Sequence, residues 1–270
     1  MNKMDSKTLR QLQQTELGIL IDFDEYCKKH NLQYYLIGGA LLGAEKYKSF
    51  IPWDDDIDVA MPRADYEALK ELWLKENIKG HFLQHSSTDP NFARCIMKVR
   101  KDNTKIIEKN SANVKMHNGI YIDIFPIDYI CDNHLKVIDK RAKKVRKLMS
   151  LRYIKSGYQG RYQNIKNLIK ICLFWLPISY IDKKIDSICT CENHKETNCA
   201  ILYLHNYSWR KQIHKKEVFG EGALCDFEGH KFNAPADTRA FLKKVFGENY
   251  TEDLPKEKQK NPHNYIEVAF

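Results

Sequence analysis

An acidic run, Asp-Asp-Asp-Ile-Asp, occupies residues 54–58 of the chain. If the run is extended, side chains alternate between two faces, so that Asp54, Asp56 and Asp58 share one face. Three carboxylates on one face repel one another, and cations between them remove that repulsion. Hard divalent ions such as Mg²⁺ prefer carboxylate oxygens and leave coordination positions for phosphate and water. The run therefore predicts a metal site, and its apolar flanks disfavour the alternative of an exposed acidic turn.

Two glycines, Gly38 and Gly39, lie between a predicted apolar strand and a predicted helix. Glycine allows backbone N–H groups to approach a phosphate, and the helix N-terminus adds a favourable dipole. Because a Gly-Gly pair at a strand end is often only a turn, the phosphate-binding interpretation depends on the nearby acidic run.

A lone carboxylate, Asp123, lies in the otherwise uncharged strand-like segment Gly119–Pro126. A buried carboxylate is costly unless it has a cation or a hydrogen-bond donor. We expect Asp123 to be a further metal ligand, or the base that accepts a proton from an attacking hydroxyl, and to have no basic side chain as a partner. A salt bridge to a lysine or arginine is the alternative.

The elements that position these residues follow from hydrophobic periodicity. Helices are predicted at 7–30, 40–47, 65–77, 135–153 and 236–246, and residues 165–191 are predicted to be mostly helical with an interruption near Pro177. Strands are predicted at 32–37, 57–61, 82–85, 94–100, 104–107, 119–125, 200–204, 217–219 and 231–232. This pattern predicts an α/β (α+β) protein, with a catalytic core at residues 1–130 and a mixed helical and strand region at 131–270. The absence of a clear linker leaves one continuous domain as the alternative.

The 270 residues carry 44 Lys or Arg against 35 Asp or Glu, a formal net charge of +9. A basic surface suits nucleic acid, anionic lipid or phosphorylated ligands, and net charge does not choose among them. The polar N-terminus has no export signal, so we expect a cytoplasmic protein with reduced thiols. The apolar run at 171–181 is too short to span a bilayer. Because lysines flank it, the run fits either a membrane interface or a buried core helix.

A weaker signal is a group of residues that could bind zinc. Its members are Cys189, Cys191, His194 and Cys199. The Cys-x-Cys spacing is shorter than zinc sites usually use, and two residues so spaced diverge on a helix. Ordinary cysteines are therefore the favoured interpretation, and zinc is not expected.

Several segments of the chain, taken together and in order, resemble the LicD family. That family contains bacterial phosphocholine transferases and is related to the fukutin-related sugar-phosphate transferases. The matching segments are Tyr35–Ala44, Phe50–Asp58, Met61–Arg63, Thr104–Ile107, Gly119–Pro126 and Leu254–Lys258.

The resemblance implies a nucleotidyltransferase-like mixed sheet with a helical second half, and two divalent ions, Mg²⁺ or Mn²⁺. It also implies a CDP-linked donor such as CDP-choline, a glycan or lipid-linked glycan acceptor, work at the inner face of the membrane, and no nucleic acid partner. Residues carried over position by position are Asp54, Asp56, Asp58 and Asp123 as metal ligands, and Gly38, Gly39, Lys46 and Lys98 at the donor phosphates. The family commonly has Val-Arg-His where this chain has Glu45, Lys46 and Tyr47, and a Thr where it has Ala40. These departures leave the head group and the acceptor sugar open.

The expected reaction is metal-dependent transfer of phosphocholine, or of a similar phospho-alcohol, to a glycan hydroxyl with release of CMP. Asp56, Asp58 and Asp123 are the expected catalytic residues. One alternative is a nucleotidyltransferase that transfers a nucleoside monophosphate and releases pyrophosphate. Another is a basic membrane-binding module without enzymatic activity.

Overall fold

The structure is a computed structural model that describes residues 4–76, 78–132, 135–261 and 263–270. It confirms the predicted α/β class. The helices are α1 (Ser6–Lys29), α2 (Gly38–Tyr47), α3 (Arg63–Glu76), α4 (Leu135–Lys155), α5 (Gln163–Cys172), α6 (Ile178–Cys189), α7 (Lys216–Phe219) and α8 (Thr238–Phe246). The strands are β1 (Tyr35–Leu36), β2 (Asp58–Pro62), β3 (His81–Gln84), β4 (Met97–Lys101), β5 (Lys105–Glu108), β6 (Tyr121–Ile130), β7 (Cys199–Ile201), β8 (Ile213–Lys215), β9 (Ala223–Phe227), β10 (His230–Ala234) and β11 (Tyr265–Ala269).

Helix α1 begins where the side chain of Asp5 accepts hydrogen bonds from the N–H groups of Lys7 and Thr8, each at 3.0 Å. Such a cap satisfies donors that the first turn of a helix leaves unpaired. The helix packs its apolar stripe against β4 and β6, and it therefore covers the centre of the sheet. The fully buried apolar residues of that stripe are Leu12, Ile19, Leu20 and Phe23.

The main sheet has the strand order β1-β2-β6-β4-β3, and β7 and β8 extend it from β6. Strands β2 and β6 are parallel, and their register places Asp58 opposite Asp123. Strand β4 runs antiparallel to β6, with Lys98 opposite Asp123. Since paired residues of neighbouring strands lie on the same face of a sheet, Asp58, Asp123 and Lys98 form one row across three strands.

Several predictions about local structure need correction. Glu217–Phe219, predicted as a strand, is the short helix α7, which ends at Gly220 with φ +47°. The tail was not predicted to contain a strand, yet β11 pairs with β5. Periodicity could not reveal this strand because its partner is far away in the sequence. Asn77, at the end of a predicted helix, lies outside the described residues.

The segment predicted to be mostly helical forms α5 and α6, which are interrupted next to Pro177 as expected. No helix in the described ranges is long and apolar enough to cross a bilayer. The division at residue 130 stays a prediction. Strand β6 from the first half pairs with β7 from the second, so residues of both halves contribute to one sheet.

Candidate active site

The acidic run lies in the segment that enters β2, and its burial alternates. Asp55 and Ile57 are buried, whereas Asp54, Asp56 and Asp58 are partly exposed. The two-faced arrangement predicted from the sequence is therefore present, although regular strand geometry begins only at Asp58.

The two glycines at the start of α2 face the acidic run. A Cβ atom on Gly38, whose φ is +58°, would lie 2.9 Å from Oδ2 of Asp58. One on Gly39 would lie 2.1 Å from Oδ2 of Asp54, which is closer than non-bonded atoms can approach. The glycines therefore make room for two carboxylates, and the positive end of the helix dipole favours their negative charge. Phosphate binding by Gly38 and Gly39 stays a prediction.

Asp123 does have a basic partner, so the expectation that it pairs with none is wrong. Nζ of Lys98 lies 2.6 Å from Oδ1 of Asp123, and only 2% and 6% of the two side chains are exposed. The same ammonium group lies 3.1 Å from the centroid of the Tyr121 ring. The error came from treating strand β6 alone, because the register with β4 supplies the cation. Although it pairs with Lys98, Asp123 also lies opposite Asp58 on the neighbouring strand and is therefore next to the acidic run.

The two lysines predicted to contact the donor phosphates both hold carboxylates of the protein. Lys98 is buried against Asp123 as described. Lys46 donates to Oδ1 of Asp253 at 2.8 Å and to the carbonyl oxygen of Glu252 at 3.1 Å. Neither lysine presents an unpaired ammonium group in this structure, so a phosphate role for either stays a prediction that requires exchange of partners.

A buried carboxyl group of α1, Glu16, lies beside the acidic run and was not predicted. Burial raises its pKa well above the usual value, and the neighbouring charges of Asp56 and Asp55 raise it further. Its Oε2 has no hydrogen-bond partner among the described residues. The signal was available in the sequence, since Glu16 lies four residues after Leu12 and four before Leu20 on the apolar stripe.

His263 reaches the acidic run from the segment before β11. Its Nδ1 lies 2.8 Å from Oδ1 of Asp55, and its Nε2 lies 3.8 Å from Oδ2 of Asp56. Burial lowers the pKa of His263, but the carboxylate of Asp55 outweighs that effect and raises it overall. Tyr265 adds a contact from its hydroxyl to the carbonyl oxygen of Asp55 at 3.4 Å. No sequence signal pointed to these residues because the contacts span more than two hundred positions.

The charge balance of this cluster fits a divalent cation. Burial, together with Asp55 and Asp58, raises the pKa of Asp54 to about 7. Burial and the charge of Asp58 likewise raise the pKa of Asp56 well above its usual value. Carboxylates pressed together in this way are stabilised when a cation neutralises them. Among the described residues, ligand atoms of Asp55, Asp56 and His263 all lie within 4.8 Å of one another, a group that includes Asp56 but not Asp54, Asp58 or Asp123. Its carboxylate oxygens suit Mg²⁺ or Mn²⁺, and metal binding by the other three predicted ligands stays a prediction.

Two adjoining cavities of about 460 and 610 Å³ share Arg94 in their linings, and the second reaches the cluster at His263. Arg146 and Lys166 line the first cavity, and His263 lines the second. Burial lowers the pKa of Arg94, whereas Asp123 and Glu108 raise it and outweigh burial. The cavities therefore offer cationic side chains next to the acidic cluster. Arg94 is the first residue of a strand predicted from the sequence and was assigned no role.

Arg146 also supports the loop that follows β7. Its guanidinium donates to the carbonyl oxygens of His205 and Asn206, each at 3.2 Å. Nε2 of His205 lies 3.7 Å from Oδ2 of Asp58. The loop thus brings a second imidazole to the acidic cluster, next to Asp58, whereas His263 contacts Asp55.

The residues of the candidate zinc group lie in different environments. Cys189 and Cys199 are buried in the apolar core, Cys191 is half-buried and His194 is exposed. Their placement suits packing of the two buried thiols, whose pKa burial raises.

The model of the LicD/FKTN/FKRP family, nucleotidyltransferase domain, matches residues 31–165, which is half of the chain. The lipopolysaccharide cholinephosphotransferase LicD of Haemophilus influenzae is 29% identical over 273 residues, covering 99% of both chains. An uncharacterized protein of Rickettsia prowazekii is 33% identical over 122 residues, covering 45% of this chain and 44% of its own. One of Rickettsia typhi is 25% identical over 125 residues, covering 45% and 37%.

The family match includes every predicted site residue, from Gly38 to Asp123, and leaves out Glu16 and His263. The acidic cluster, the glycines that give it room and the paired Asp123 thus fall within the part of the chain that the family model describes. On the extent of this match, the chain belongs to the LicD/FKTN/FKRP family.

Proposed function

We propose that this protein transfers phosphocholine, or a similar phospho-alcohol, from a CDP-linked donor to a hydroxyl of a cell-surface glycan precursor. CMP is the leaving product, and a divalent ion, Mg²⁺ or Mn²⁺, is required. The observation that carries the reaction class is the acidic cluster beside cavities lined by arginine. An anionic, metal-bound diphosphate needs both kinds of group.

Support for the donor and acceptor comes from the relative that aligns over 99% of both chains, a lipopolysaccharide cholinephosphotransferase. A transferase that acts on a polysaccharide precursor combines a charged donor with a neutral hydroxyl acceptor. The two cavities at Arg94 together provide space for a nucleotide-linked donor and part of an acceptor.

Within this proposal Asp54, Asp56 and Asp58 hold the metal ions, with Glu16 and His263 near them. Bound divalent ions supply positive charge to the attacking and leaving oxygens. Arg94 and Arg146 bind and orient the donor phosphates, because guanidinium groups form paired hydrogen bonds with phosphate oxygens. Gly38 and Gly39 let α2 approach the same groups.

Asp123 is proposed as a metal ligand whose orientation Lys98 fixes. Burial raises the pKa of Asp123, but Lys98 and Arg94 outweigh it and lower the value overall. A carboxylate with a lowered pKa is a weak proton acceptor. The role of base, the other expectation for this residue, is therefore less well supported than the role of ligand.

The reaction would take place on the cytoplasmic side, where CDP-linked donors are made, and a lipid-linked acceptor would bring the protein to the inner face of the membrane. The direct test is to incubate the protein with Mg²⁺, a panel of CDP-alcohols and candidate glycans, and to measure free CMP. CMP that appears only when donor, acceptor and metal are all present supports the proposal.

The same assay distinguishes the alternatives. Pyrophosphate release from CTP and a phospho-alcohol would indicate a nucleotidyltransferase. If neither CMP nor pyrophosphate forms with any donor, and CDP binding does not depend on metal, the enzymatic assignment is wrong. Omission of Mg²⁺ with added chelator is the matched control for each reaction.

A further inference from the structure

Helix α5 and the segment that leads into α6 expose a continuous apolar surface. The exposed fraction reaches 67% at Ile171, 81% at Phe174 and 66% at Trp175. No residue of α5 is buried. We call this the α5 surface, and it consists of Ile165, Leu168, Ile171, Phe174, Trp175 and Tyr180.

The spacing of these residues explains why they form one surface. Ile165, Leu168 and Ile171 recur every three residues and therefore lie along one side of the helix. Contacts with α4 and a hydrogen bond from Nζ of Lys155 to the carbonyl oxygen of Leu173 attach the helix to the protein. The buried core-helix interpretation of the 171–181 run is therefore wrong for most of its length, although Ile181 is buried. Apolar surface of this kind marks an interaction site.

The charge of the same region identifies the kind of partner. Residues 135–184 contain fourteen Lys or Arg and two Asp, a net charge of +12, whereas the whole chain carries +9. The other residues therefore carry −3 in sum, so the basic character of the protein is concentrated in α4, α5 and the start of α6. Lys170 and Lys183 are exposed beside the apolar residues.

We propose that the α5 surface docks on an anionic lipid bilayer, with the apolar side chains at the level of the headgroups and the lysines against anionic phosphates. Amphipathic helices with Trp, Phe and Leu on one side and lysines on the other bind in this way. A second copy of the chain is a poor occupant, because two copies of the basic segment 135–184, of net charge +12, repel each other. This docking does not depend on the proposed reaction.

Docking in this orientation has a consequence for access to the cavities. Gln163 and Lys166 of α5 line the cavities that contain Arg94. A bilayer against α5 therefore lies near the cavity openings, where an acceptor held by a lipid could enter without leaving the membrane.

The test is sedimentation of the full chain with vesicles of phosphatidylcholine alone, or of phosphatidylcholine mixed with phosphatidylglycerol. Binding should require the anionic lipid and weaken as salt rises, because salt screens exposed charges. Leu168→Ser and Trp175→Ser should each weaken binding by about tenfold, as expected for loss of one inserted apolar side chain.

Leu224→Ser on β9 is the matched control, since Leu224 and Leu168 are both 62% exposed. The control variant should bind like the unchanged protein, and all variants should keep the same melting temperature. Equal loss with Leu224→Ser, or equal binding to neutral vesicles, would overturn the proposal. So would sedimentation equilibrium that shows a dimer which Leu168→Ser dissociates, because the α5 surface would then belong to a second copy.

Discussion

The parallel strands β2 and β6 carry charged residues at both ends, and the two ends differ. At the far end, Arg63 donates to both carboxylate oxygens of Asp128 at 2.9 and 2.8 Å, and Asn193 adds a bond at 2.8 Å. At the near end, Asp58 and Asp123 lie side by side with more carboxylates than cations around them.

The difference indicates that the charged residues at the far end stabilise the fold, whereas those at the near end are available for function. The Arg63–Asp128 pair is complete within the protein, so a buried carboxylate there has its full set of donors. The near end is incomplete, because Lys98 offsets only one of several carboxylates. A protein retains such an excess readily only when something from outside completes it, and we propose a metal ion with a phosphorylated ligand for this role.

The largest effect is expected at the complete end. Asp128→Asn should lower the free energy of unfolding by about 3–5 kcal/mol, because it breaks the buried two-bond pair and leaves Arg63 only the more exposed carboxylates of Glu67 and Asp186. Chemical denaturation measures the change. Asp226→Asn removes an exposed pair with Lys231 and should cost less than about 1 kcal/mol. Equal costs for the two variants would remove the distinction between the two ends.

At the end of the strands that carries Asp58 and Asp123, substitutions should lower turnover and not stability. Asp56→Asn and Asp58→Asn should each lower the rate of CMP release by at least about a hundredfold, since each removes a proposed metal ligand. Stability of the metal-free protein should stay the same or rise as repulsion falls. Near-normal CMP release from both variants would mean that the metal site is misassigned.

Asp123 is both a buried ion-pair partner and a proposed metal ligand, so its substitution should lower both stability and ligand binding. Asp123→Asn should cost about 1–3 kcal/mol of stability by leaving Lys98 without its partner. That is less than at Asp128, because other carboxylates lie nearby. The variant should also lose most of the rise in melting temperature that Mn²⁺ plus CDP produces. A full ligand-induced shift in the variant would make Asp123 a structural residue only.

A smaller effect is expected at the cavity. Arg94→Gln should raise the KM for the donor about tenfold, because a charged hydrogen bond to phosphate is lost. Arg239→Gln, at an exposed arginine of α8, is the control and should change neither KM nor stability. If Arg94→Gln leaves the KM unchanged, the donor binds elsewhere.

The smallest effect concerns pH in the metal-free protein. The pKa of Asp54 rises from 3.8 to about 7 on folding, so between these values the folded state holds a proton that the unfolded chain has lost. The melting temperature of the metal-free protein should therefore fall by a few degrees as pH rises through this window. Mg²⁺ or the Asp54→Asn substitution should flatten the dependence. A metal-free melting temperature that rises with pH would contradict it.

Alternation and apolar context were enough to predict the exposed face of the acidic run, the helix after Gly38, and Asp123 in a buried strand. Each of these depends on residues within about ten positions. Asp123 lies next to Asp58 because β2 pairs in parallel with β6. The sequence indicated this proximity only because the acidic run required a further ligand. Lys98 was assigned to a donor phosphate and not to Asp123, because a single sequence does not reveal the register between strands.

The residues that were missed come from outside the local motifs. Glu16 was given no role, although a charged residue on the core face of a predicted helix is unusual. His263 lies in a tail whose Pro and Lys content masked β11. Arg94 precedes a strand, and only the packing of α4 against that segment creates the cavity it lines.

The contact between His263 and Asp55 joins positions 208 residues apart, and this affects when the site can form during synthesis. The acidic run at residues 54–58 of a nascent chain leaves the ribosome long before residue 263 emerges. Until then Asp55 has no imidazole beside it, and β5 has no partner in β11. Completion of the cluster is therefore a late event in folding, and a chain interrupted before this segment would retain the entire acidic motif without a finished site.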